Sequence, residues 1–384
     1  MTERVFSAPG RVEIGGNHTD HQRGRVLAAA IDLDMKCTAK TNGTDIVCIT
    51  SEGFGSAKVD LTDLKPREDE KATMAALIRG VAAWLYRNGH AVGGFNSLVR
   101  SDVPEGAGLS SSAAFEVLIG NVFKGLFNIN ISPLDIALAG QFAENNYFGK
   151  PCGLMDQSAS SFGGLTMMDF FDPQKPMIKS IKTDFSGYAL CVVTTGDSHS
   201  DLTEDYAAIP FEMKAIAAYF GKEDLREVDV NEFYSSIADL RKINEFNSSI
   251  ADSRKINDRG ILRAIHFFGE NERVKQQAAA LESGNISEFM LLVTESGRSS
   301  LAYLQSIYSI SNYKEQGLTL ALALAGRILD KHGAYRVHGG GFAGSILAFV
   351  PDGLKDDFER QMSAVFGKSC CHYLNIRAEG GREI

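Results

Sequence analysis

The sequence predicts an α+β protein of two domains, and three observations lead to that class. Its 384 residues exceed one domain at roughly 150 residues per domain. Its composition, 44% hydrophobic and 23% charged, is that of an ordinary globular protein. In each half, strand-like stretches come before helical ones, which differs from the regular alternation of a doubly wound fold. We therefore expect one domain over residues 1–185 and a second over residues 186–384.

The first hundred residues are predicted to form strands around a single helix. Asn42-Gly43 is a hairpin signal. A helix with apolar residues at helical spacing is ended by Asn88-Gly89. The helix is expected over Ala72–Tyr86, and the strands over Val26–Ala30, Met35–Thr41, Asp45–Thr50 and Gly94–Arg100.

After this region the pattern becomes helical. One helix is expected from Ser110, and a second begins where Ser132 caps Pro133, since proline is favoured at the first helical position. Strands then follow over Leu165–Phe170 and Tyr188–Thr195, and the domain boundary is placed between them. The segment Gly10–His21 is interpreted as a polar stretch between glycines.

The second half is predicted to be mostly helical up to Ala334. A hairpin of Tyr335–His338 and Ser345–Val350 follows, and then a helix from about Leu354 to Phe366. Residues 231–243 and 244–256 form a tandem repeat that differs only at Tyr234/Asn247 and Leu240/Ser253. We interpret the repeat as a duplication that lengthens a surface helix or loop.

Composition and targeting signals exclude several classes of protein. The net charge is −9, without a long basic run, so a nucleic-acid or anionic-membrane surface is not expected. No apolar stretch is long enough to span a membrane, and the charged N-terminus does not resemble a signal peptide. The six cysteines form no C-x-x-C pair, which favours free thiols. We expect a cytoplasmic protein.

The segment 104–114, PEGAGLSSSAA, predicts a phosphate site. Glycines allow backbone N–H groups to approach an anion, and the serines lie where a helix begins. Gly339–Gly344 formally matches the dinucleotide pattern G-x-G-x-x-G, but a strand follows it where that fingerprint requires a helix. The nucleotide-phosphate contacts are expected from Gly106, Ala107, Gly108, Leu109, Ser110, Ser111 and Ser112.

Taken together, the motifs resemble the GHMP family of small-molecule kinases and, within it, the galactokinases. The phosphate loop resembles P-x-x-x-G-L-[GS]-S-S-A, and Gly10–Asp20 resembles the galactokinase signature G-R-V-N-[LI]-I-G-E-H-T-D. Cys152–Gln157 resembles C-G-I-M-D-Q, Arg263–Arg273 resembles R-A-x-H-x-x-x-E-N-x-R, and Val337–Gly344 resembles the third glycine motif. The match runs from about residue 5 to residue 375.

This resemblance implies an activity, a fold and an active site. The activity is ATP-dependent phosphorylation of a sugar at its anomeric C1 hydroxyl. The fold is a ribosomal-protein-S5-like N-terminal domain and a ferredoxin-like C-terminal domain, with the active site in the cleft between them. Asp156 matches the catalytic aspartate, which takes the hydroxyl proton or orients it, and Arg11 matches its partner. Ser112 and Glu144 match the Mg²⁺ ligands. The residues around the sugar would be Asn17, His18, Asp20, Gly153 and Tyr206.

Three departures from the family pattern leave the sugar open. Asn17 replaces the glutamate that faces the C6 hydroxyl, His21 replaces a tyrosine, and the third motif ends Phe-Ala-Gly. D-Galactose is the leading candidate, and a neutral residue at position 17 makes galacturonate or L-arabinose the alternatives. On this interpretation, Asn17→Glu should raise kcat/KM for galactose relative to a C6-carboxylate sugar. The non-enzymatic alternative is a sugar sensor of the same fold.

Overall fold

A computed structural model describes residues 2–53, 55–104, 106–196, 202–246 and 256–384. Its first sheet has the strand order β12-β1-β2-β5-β3-β4, and β6 pairs with β2 and with β7. All of these pairs are antiparallel except β3 with β5. The strands are β1 (Arg4–Gly15), β2 (Arg25–Thr41), β3 (Ile46–Ser51), β4 (Gly55–Asp60), β5 (Phe95–Ser101), β6 (Leu165–Asp169), β7 (Met177–Ile181) and β12 (Arg382–Glu383).

Strands β1 and β2 differ from the prediction. The segment interpreted as a polar stretch from Gly10 is, up to Gly15, the second half of β1, and the two strands predicted before Thr41 are one strand of 17 residues. Strand β2 changes partners along its length, because its first part pairs with β6 and its last part with β5. The polar residues Asp32 and Asp34 are accommodated in this strand because they accept hydrogen bonds from the C-terminal segment, Asp32 from Asn375 and Asp34 from Arg377.

Four helices cover the N-terminal half. Helices α1 and α3 are stabilised at their starts by the hydroxyls of Thr73 and Ser132. Ser132 is the predicted cap, and it also forms a capping box with Asp135. Helix α3 continues into a π-helical turn over Glu144–Phe148. The helices are α1 (Met74–Arg87), α2 (Ser111–Leu126), α3 (Pro133–Ala143) and α4 (Met155–Phe162).

The second sheet has the antiparallel order β11-β8-β10-β9, and the predicted hairpin is β9 with β10. The first copy of the repeat lies in α6, whereas residues 247–255 of the second copy lie outside the described part of the chain. The strands are β8 (Tyr188–Thr194), β9 (Ala334–His338), β10 (Ser345–Pro351) and β11 (Cys371–Leu374). The helices are α5 (Thr203–Tyr219), α6 (Val230–Phe246), α7 (Asp258–Glu282), α8 (Ile286–Ser299), α9 (Gly317–Leu329) and α10 (Lys355–Phe366).

The chain leaves the first sheet at Ile181 and enters the second at Tyr188, but it later returns to the first sheet. Strand β12 pairs with β1, and Arg377 donates hydrogen bonds to Ser7 Oγ and Asp34 Oδ2 at 2.7 and 2.8 Å. The last residues of the chain therefore pack with the first half. A single boundary after residue 185 would assign these residues to the second domain. One buried core also joins both halves, since it includes Val12 and Leu27 as well as Leu347 and Phe349.

Candidate active site

The centre of the candidate site is an ion pair between Arg11 on β1 and Asp156 on α4. Arg11 Nε lies 2.7 Å from Asp156 Oδ1, and Nη2 lies 2.6 Å from Oδ2, so the pair is bidentate. Burial raises the pKa of Asp156, but the charge and hydrogen bonds of Arg11, with a hydrogen bond from Ser110 Oγ, more than offset it. The pKa is therefore below the usual value. The Arg11 side chain is 7% exposed and that of Asp156 is 29% exposed, so the carboxylate remains accessible.

The position of Asp156 corrects a local prediction. From its sequence alone, the segment 151–157 is expected to be a turn of small residues that carries Asp156, whereas Asp156 is the second residue of helix α4. Glycine and proline before the helix concealed its start in the sequence.

The predicted phosphate loop lies directly beside this ion pair. Arg11 Nη1 donates to the carbonyl of Gly108, and the Arg11 N–H donates to the carbonyl of Leu109 at 3.1 Å. Gly106, Gly108 and Ser110 all have positive φ, and Ser110 is the residue before helix α2. The first-turn N–H groups of α2, which begins at Ser111, have no partners within the helix, so they can bind an anion. Two residues of the loop itself, Ala107 and Leu109, are buried.

The two predicted metal ligands are neighbours. Ser112 Oγ lies 3.3 Å from Glu144 Oε1, and Glu144 is in the π-helical turn after α3. Gln157 Nε2 donates to Glu144 Oε2 and to Glu116 Oε2, both at 2.9 Å, which fixes the glutamate. The Lys150 ammonium lies 3.5 Å from Glu144 Oε1. A hydroxyl beside a carboxylate is a hard oxygen donor set of the kind Mg²⁺ takes. No cluster of three His, Cys, Asp or Glu suited to a metal occurs among the described residues.

Asp20 and Gly153 form the second acidic part of the site. A β-carbon at position 153 would overlap the Asp20 carboxylate, so only glycine allows this close approach. Burial and the nearby charge of Asp156 raise the pKa of Asp20 to about 6. Two carboxylates with different pKa values thus lie close together, one partnered by arginine and the other not.

Three of the predicted sugar-binding residues converge on consecutive carbonyls of one turn, Gly339–Gly341, which we call the glycine turn. Asn17 Nδ2 donates to the Gly339 carbonyl at 2.7 Å, and His18 Nε2 donates to that of Gly340 at 2.9 Å. Tyr206 on α5 donates its hydroxyl to Gly341 at 2.8 Å. The sequence signature near the N-terminus and the third glycine motif are therefore parts of one structure.

The surroundings of Asn17 do not support its predicted contact with the C6 end of a sugar. Asn17 is fully buried, and its amide also donates to Glu13 Oε1 at 3.1 Å and accepts from Ser300 Oγ at 3.0 Å. Both amide hydrogens are therefore used within the protein. The neutral residue at position 17 does not open a space for a C6 carboxylate.

The glycine turn is also connected to the phosphate loop. The Glu13 N–H donates to His338 Nε2 at 3.1 Å, so the proton of this imidazole is on Nδ1, which lies 3.2 Å from Ser345 Oγ. Ser345 in turn donates to the carbonyl of Ala107 at 2.9 Å. Burial lowers the pKa of His338 well below its usual value, which keeps the ring neutral. The strands flanking the glycine turn thus support the loop.

Several of these residues were missed by sequence reasoning. Glu116 lies one helical turn after Ser112 on α2, a spacing that could have indicated its position below the metal ligands. Glu13, Arg336 and His338 carried no such local signal. Arg336 Nη2 lies 2.7 Å from Glu13 Oε1, although the two residues are 323 positions apart.

Comparisons with known proteins agree with this architecture. The model of the GHMP kinases N terminal domain matches residues 76–164, and the galactokinase galactose-binding signature matches residues 2–41. The galactokinase of Lactococcus lactis complexed with galactose superposes with a TM-score of 0.83 at 23% identity, covering 100% of this chain and 95% of that one. A D-glycero-D-manno-heptose 1-phosphate kinase from Bacteriodes thetaiotaomicron gives a TM-score of 0.64 at 16% identity, covering 100% and 99%.

Fold and site together define a small-molecule kinase of the GHMP type, and the predicted α+β class is confirmed. A curated galactokinase from Glaesserella parasuis serovar 5 (strain SH0165) is 30% identical over 355 residues, which cover 91% of this chain and 86% of that protein. The chain therefore belongs to the galactokinase family. No helix within the described residues is long and apolar enough to cross a membrane.

Proposed function

We propose that this chain catalyses the transfer of the γ-phosphoryl group of ATP to the C1 hydroxyl of D-galactose. The observation that carries the proposal is the Asp156 carboxylate, held by Arg11 and bordered by the phosphate loop on one side and by Asp20 and Gly153 on the other. A sugar hydroxyl bound at Asp156 would face the phosphate loop. Phosphoryl transfer depends mainly on such positioning and on neutralisation of charge.

The electrostatics of Asp156 support a role in orienting the hydroxyl. Because Arg11 and Ser110 keep the pKa of Asp156 below its usual value, the carboxylate is a weak base at neutral pH. It can accept a hydrogen bond from the C1 hydroxyl. It can then take up the hydroxyl proton late in the reaction, as that oxygen forms its bond to phosphorus and the proton becomes more acidic. Arg11 would keep the Asp156 carboxylate ionised and in place until it receives that proton.

Bound Mg²⁺ would neutralise phosphate charge during the reaction. In our proposal Ser112 Oγ and Glu144 would hold it, because they supply hard oxygens 3.3 Å apart and leave room in its coordination sphere for phosphate oxygens. Gln157 keeps the Glu144 carboxylate in place. We further propose that the first-turn N–H groups of α2 bind the nucleotide phosphates, and that the protein is cytoplasmic.

His18, Asp20, Gly153 and Tyr206 would surround the sugar hydroxyls. Burial lowers the pKa of His18 to about 4, so it is neutral at pH 7 and donates through Nε2 to the glycine turn. Asp20, ionised above its pKa of about 6, can accept from sugar hydroxyls. The buried Asn17 gives no support to galacturonate or L-arabinose as the preferred sugar.

An assay of ADP release with Mg²⁺ across D-galactose, D-galacturonate, L-arabinose, D-glucose and N-acetylgalactosamine tests the proposal. We expect turnover on galactose with the highest kcat/KM of the series. A higher kcat/KM for another sugar would overturn the assigned substrate. Binding of sugar and ATP by calorimetry without turnover would instead favour the sensor.

A further inference from the structure

A buried cluster of Glu13, Asn17 and Arg336 lies behind the sugar-binding residues; we call it the Glu13 cluster. The three residues are 3%, 0% and 0% exposed. Glu13 Oε1 accepts from both neighbours, from Arg336 Nη2 at 2.7 Å and from Asn17 Nδ2 at 3.1 Å. One carboxylate oxygen therefore connects β1, the following turn and β9.

Asn17 extends this cluster to three further parts of the fold. Its Nδ2 donates to Gly339, its Oδ1 accepts from Ser300 after α8, and its backbone carbonyl accepts from His266 Nε2 on α7 at 2.9 Å. A buried amide with this set of partners has one orientation. Its backbone is consequently fixed as well.

The residue fixed in this way directly precedes the predicted sugar-binding segment. His18 has a φ of +55°, a left-handed conformation that residues other than glycine adopt uncommonly. Asp20 follows two residues later and lies against Gly153. A change in the orientation of Asn17 would therefore displace both side chains relative to the site.

Arg336 makes the cluster dependent on Glu13. Among the described residues, Glu13 is the acidic group within ion-pair distance of Arg336. The Nε and Nη1 atoms of Arg336 have no hydrogen-bond partner among the described residues. Loss of the carboxylate would leave a buried guanidinium without its counter-charge. The galactokinase signature has asparagine at the position of Glu13 and glutamate at the position of Asn17, so the acid and the amide are exchanged in this chain.

We propose that Glu13 and Arg336 are positioning residues that act through Asn17 on His18 and Asp20, so that positions 13 and 17 form one unit for sugar recognition. This inference rests on the proposed function. It also reverses the expectation from sequence for Asn17→Glu, because that change places a second carboxylate beside the buried Glu13.

The test compares three variants. Two are the single substitutions Glu13→Gln and Asn17→Glu, and the third is the double exchange, which carries both Glu13→Asn and Asn17→Glu. We expect Glu13→Gln to raise KM for galactose about tenfold and Asn17→Glu to raise it further, since small displacements of a binding group have such effects. The KM for ATP should stay within about twofold of its original value in both, because the phosphate loop is not altered. The double exchange should recover most of the loss.

A matched control is Glu70→Gln. Glu70 pairs with the buried Arg79 at 2.6 Å, and Arg79 also donates to the carbonyls of Asp60 and Asp63, which are not among the sugar-binding residues. This variant should lower Tm like Glu13→Gln but leave KM for galactose unchanged. If Glu13→Gln lowers only Tm, or if the double exchange is no better than Asn17→Glu alone, the proposal is overturned.

Two of the measurements do not require turnover. One is galactose binding by calorimetry, and the other is the difference between the Tm change of the double variant and the sum of the changes from single substitutions at positions 13 and 17. Failure of the unmodified protein to phosphorylate any sugar would count against the proposed function. Additive Tm changes and unaltered galactose affinity in the variants would count against the positioning unit. The two failures are therefore distinguishable.

Discussion

At the scale of single residues, the Asp156 carboxylate is the group on which the proposed chemistry depends. Its bidentate partner Arg11 is almost fully buried, so the pair cannot exchange easily with solvent ions. Removal of the carboxylate also leaves the Arg11 charge unpaired. Asparagine keeps the shape and two of the polar positions of aspartate, and it is therefore a better test than alanine.

We expect Asp156→Asn to reduce kcat by about 10²- to 10⁴-fold, the contribution typical of a positioned proton acceptor. ATP affinity by calorimetry should change little, because the phosphate loop retains its own backbone contacts. Ser110→Ala is the control: it removes one hydrogen bond to Asp156 and should lower kcat far less. Substantial residual turnover in Asp156→Asn would contradict the assigned role.

The raised pKa of Asp20 predicts a pH dependence. If ionised Asp20 accepts from the sugar, kcat/KM for galactose should fall about tenfold per pH unit below its pKa of about 6. Asp156 does not contribute in this range, since its pKa is lower than usual. Burial raises the pKa of Glu13 to about 7, but Glu13 faces Arg336 and Asn17 rather than the sugar.

The variant Asp20→Asn separates these groups. It should lower kcat/KM at pH 8 and remove the decrease near pH 6, whereas any decrease that belongs to Glu13 would persist. An unchanged pH profile of kcat/KM in this variant would show that Asp20 does not cause it.

At the scale of elements, the glycine turn joins the sugar-binding residues to the second sheet. Gly339 and Gly341 have positive φ, and a β-carbon at position 341 would overlap the carbonyl of Ser306. Gly340 has no such backbone requirement, but a β-carbon there would overlap the ring of Tyr206. The ring cannot move freely, because it stacks edge-on against Phe342 with centroids 5.3 Å apart.

Gly340→Ala should therefore displace Tyr206 and raise KM for galactose about tenfold, with a small effect on KM for ATP. Gly353→Ala is the matched control, since Gly353 has no positive φ and nothing lies within 4 Å of its added β-carbon. Equal sugar KM values for the two variants would contradict the role of the turn.

Local patterns predicted α1, α2, α3, α10 and the second-sheet hairpin well, because capping residues and periodicity act over a few positions. Ser132 with Pro133 marked the start of α3, and the glycines after His338 marked the turn between β9 and β10. Strand β1 was missed because it is buried on both faces up to Gly15, so its residues do not alternate between polar and apolar.

The site could be predicted only as far as family motifs extend. The roles of Arg11 and Asp156 came from such motifs, although the glycines and serines of the phosphate loop indicated an anion site by themselves. The structure brings Arg11 and Asp156 together across 145 residues of sequence. The contact of Glu13 with Arg336 depends on the packing of β1 against β9, which no short pattern encodes. The burial of Asn17 also had no local signal, because it is set by contacts with three distant elements.

At the scale of the whole molecule, the two sheets share one hydrophobic core. Phe349 on β10 is fully buried, and its ring packs against Phe289 on α8 and against Phe185 in the segment between the sheets, at centroid distances of 5.3 and 5.2 Å. The same core continues into β1, β2 and helices α1 and α2. Strand β12 adds a second connection, because the last residues pair with β1.

A shared core of this kind should make the two halves unfold together. The single tryptophan, Trp84, lies on α1 in the first half, so its fluorescence reports a region far along the chain from β10. We expect Phe349→Ala to lower the free energy of unfolding by about 3–5 kcal/mol, the range for loss of a buried phenylalanine. Because the core is continuous, the urea midpoint from Trp84 fluorescence should shift as much as the midpoint from circular dichroism.

The exposed Val365 on α10 supplies the control, since Val365→Ala removes little buried surface and should leave both midpoints nearly unchanged. A shift seen by circular dichroism but not by Trp84 would mean that the halves unfold separately, and that the contacts between β1 and the glycine turn join two independently stable parts.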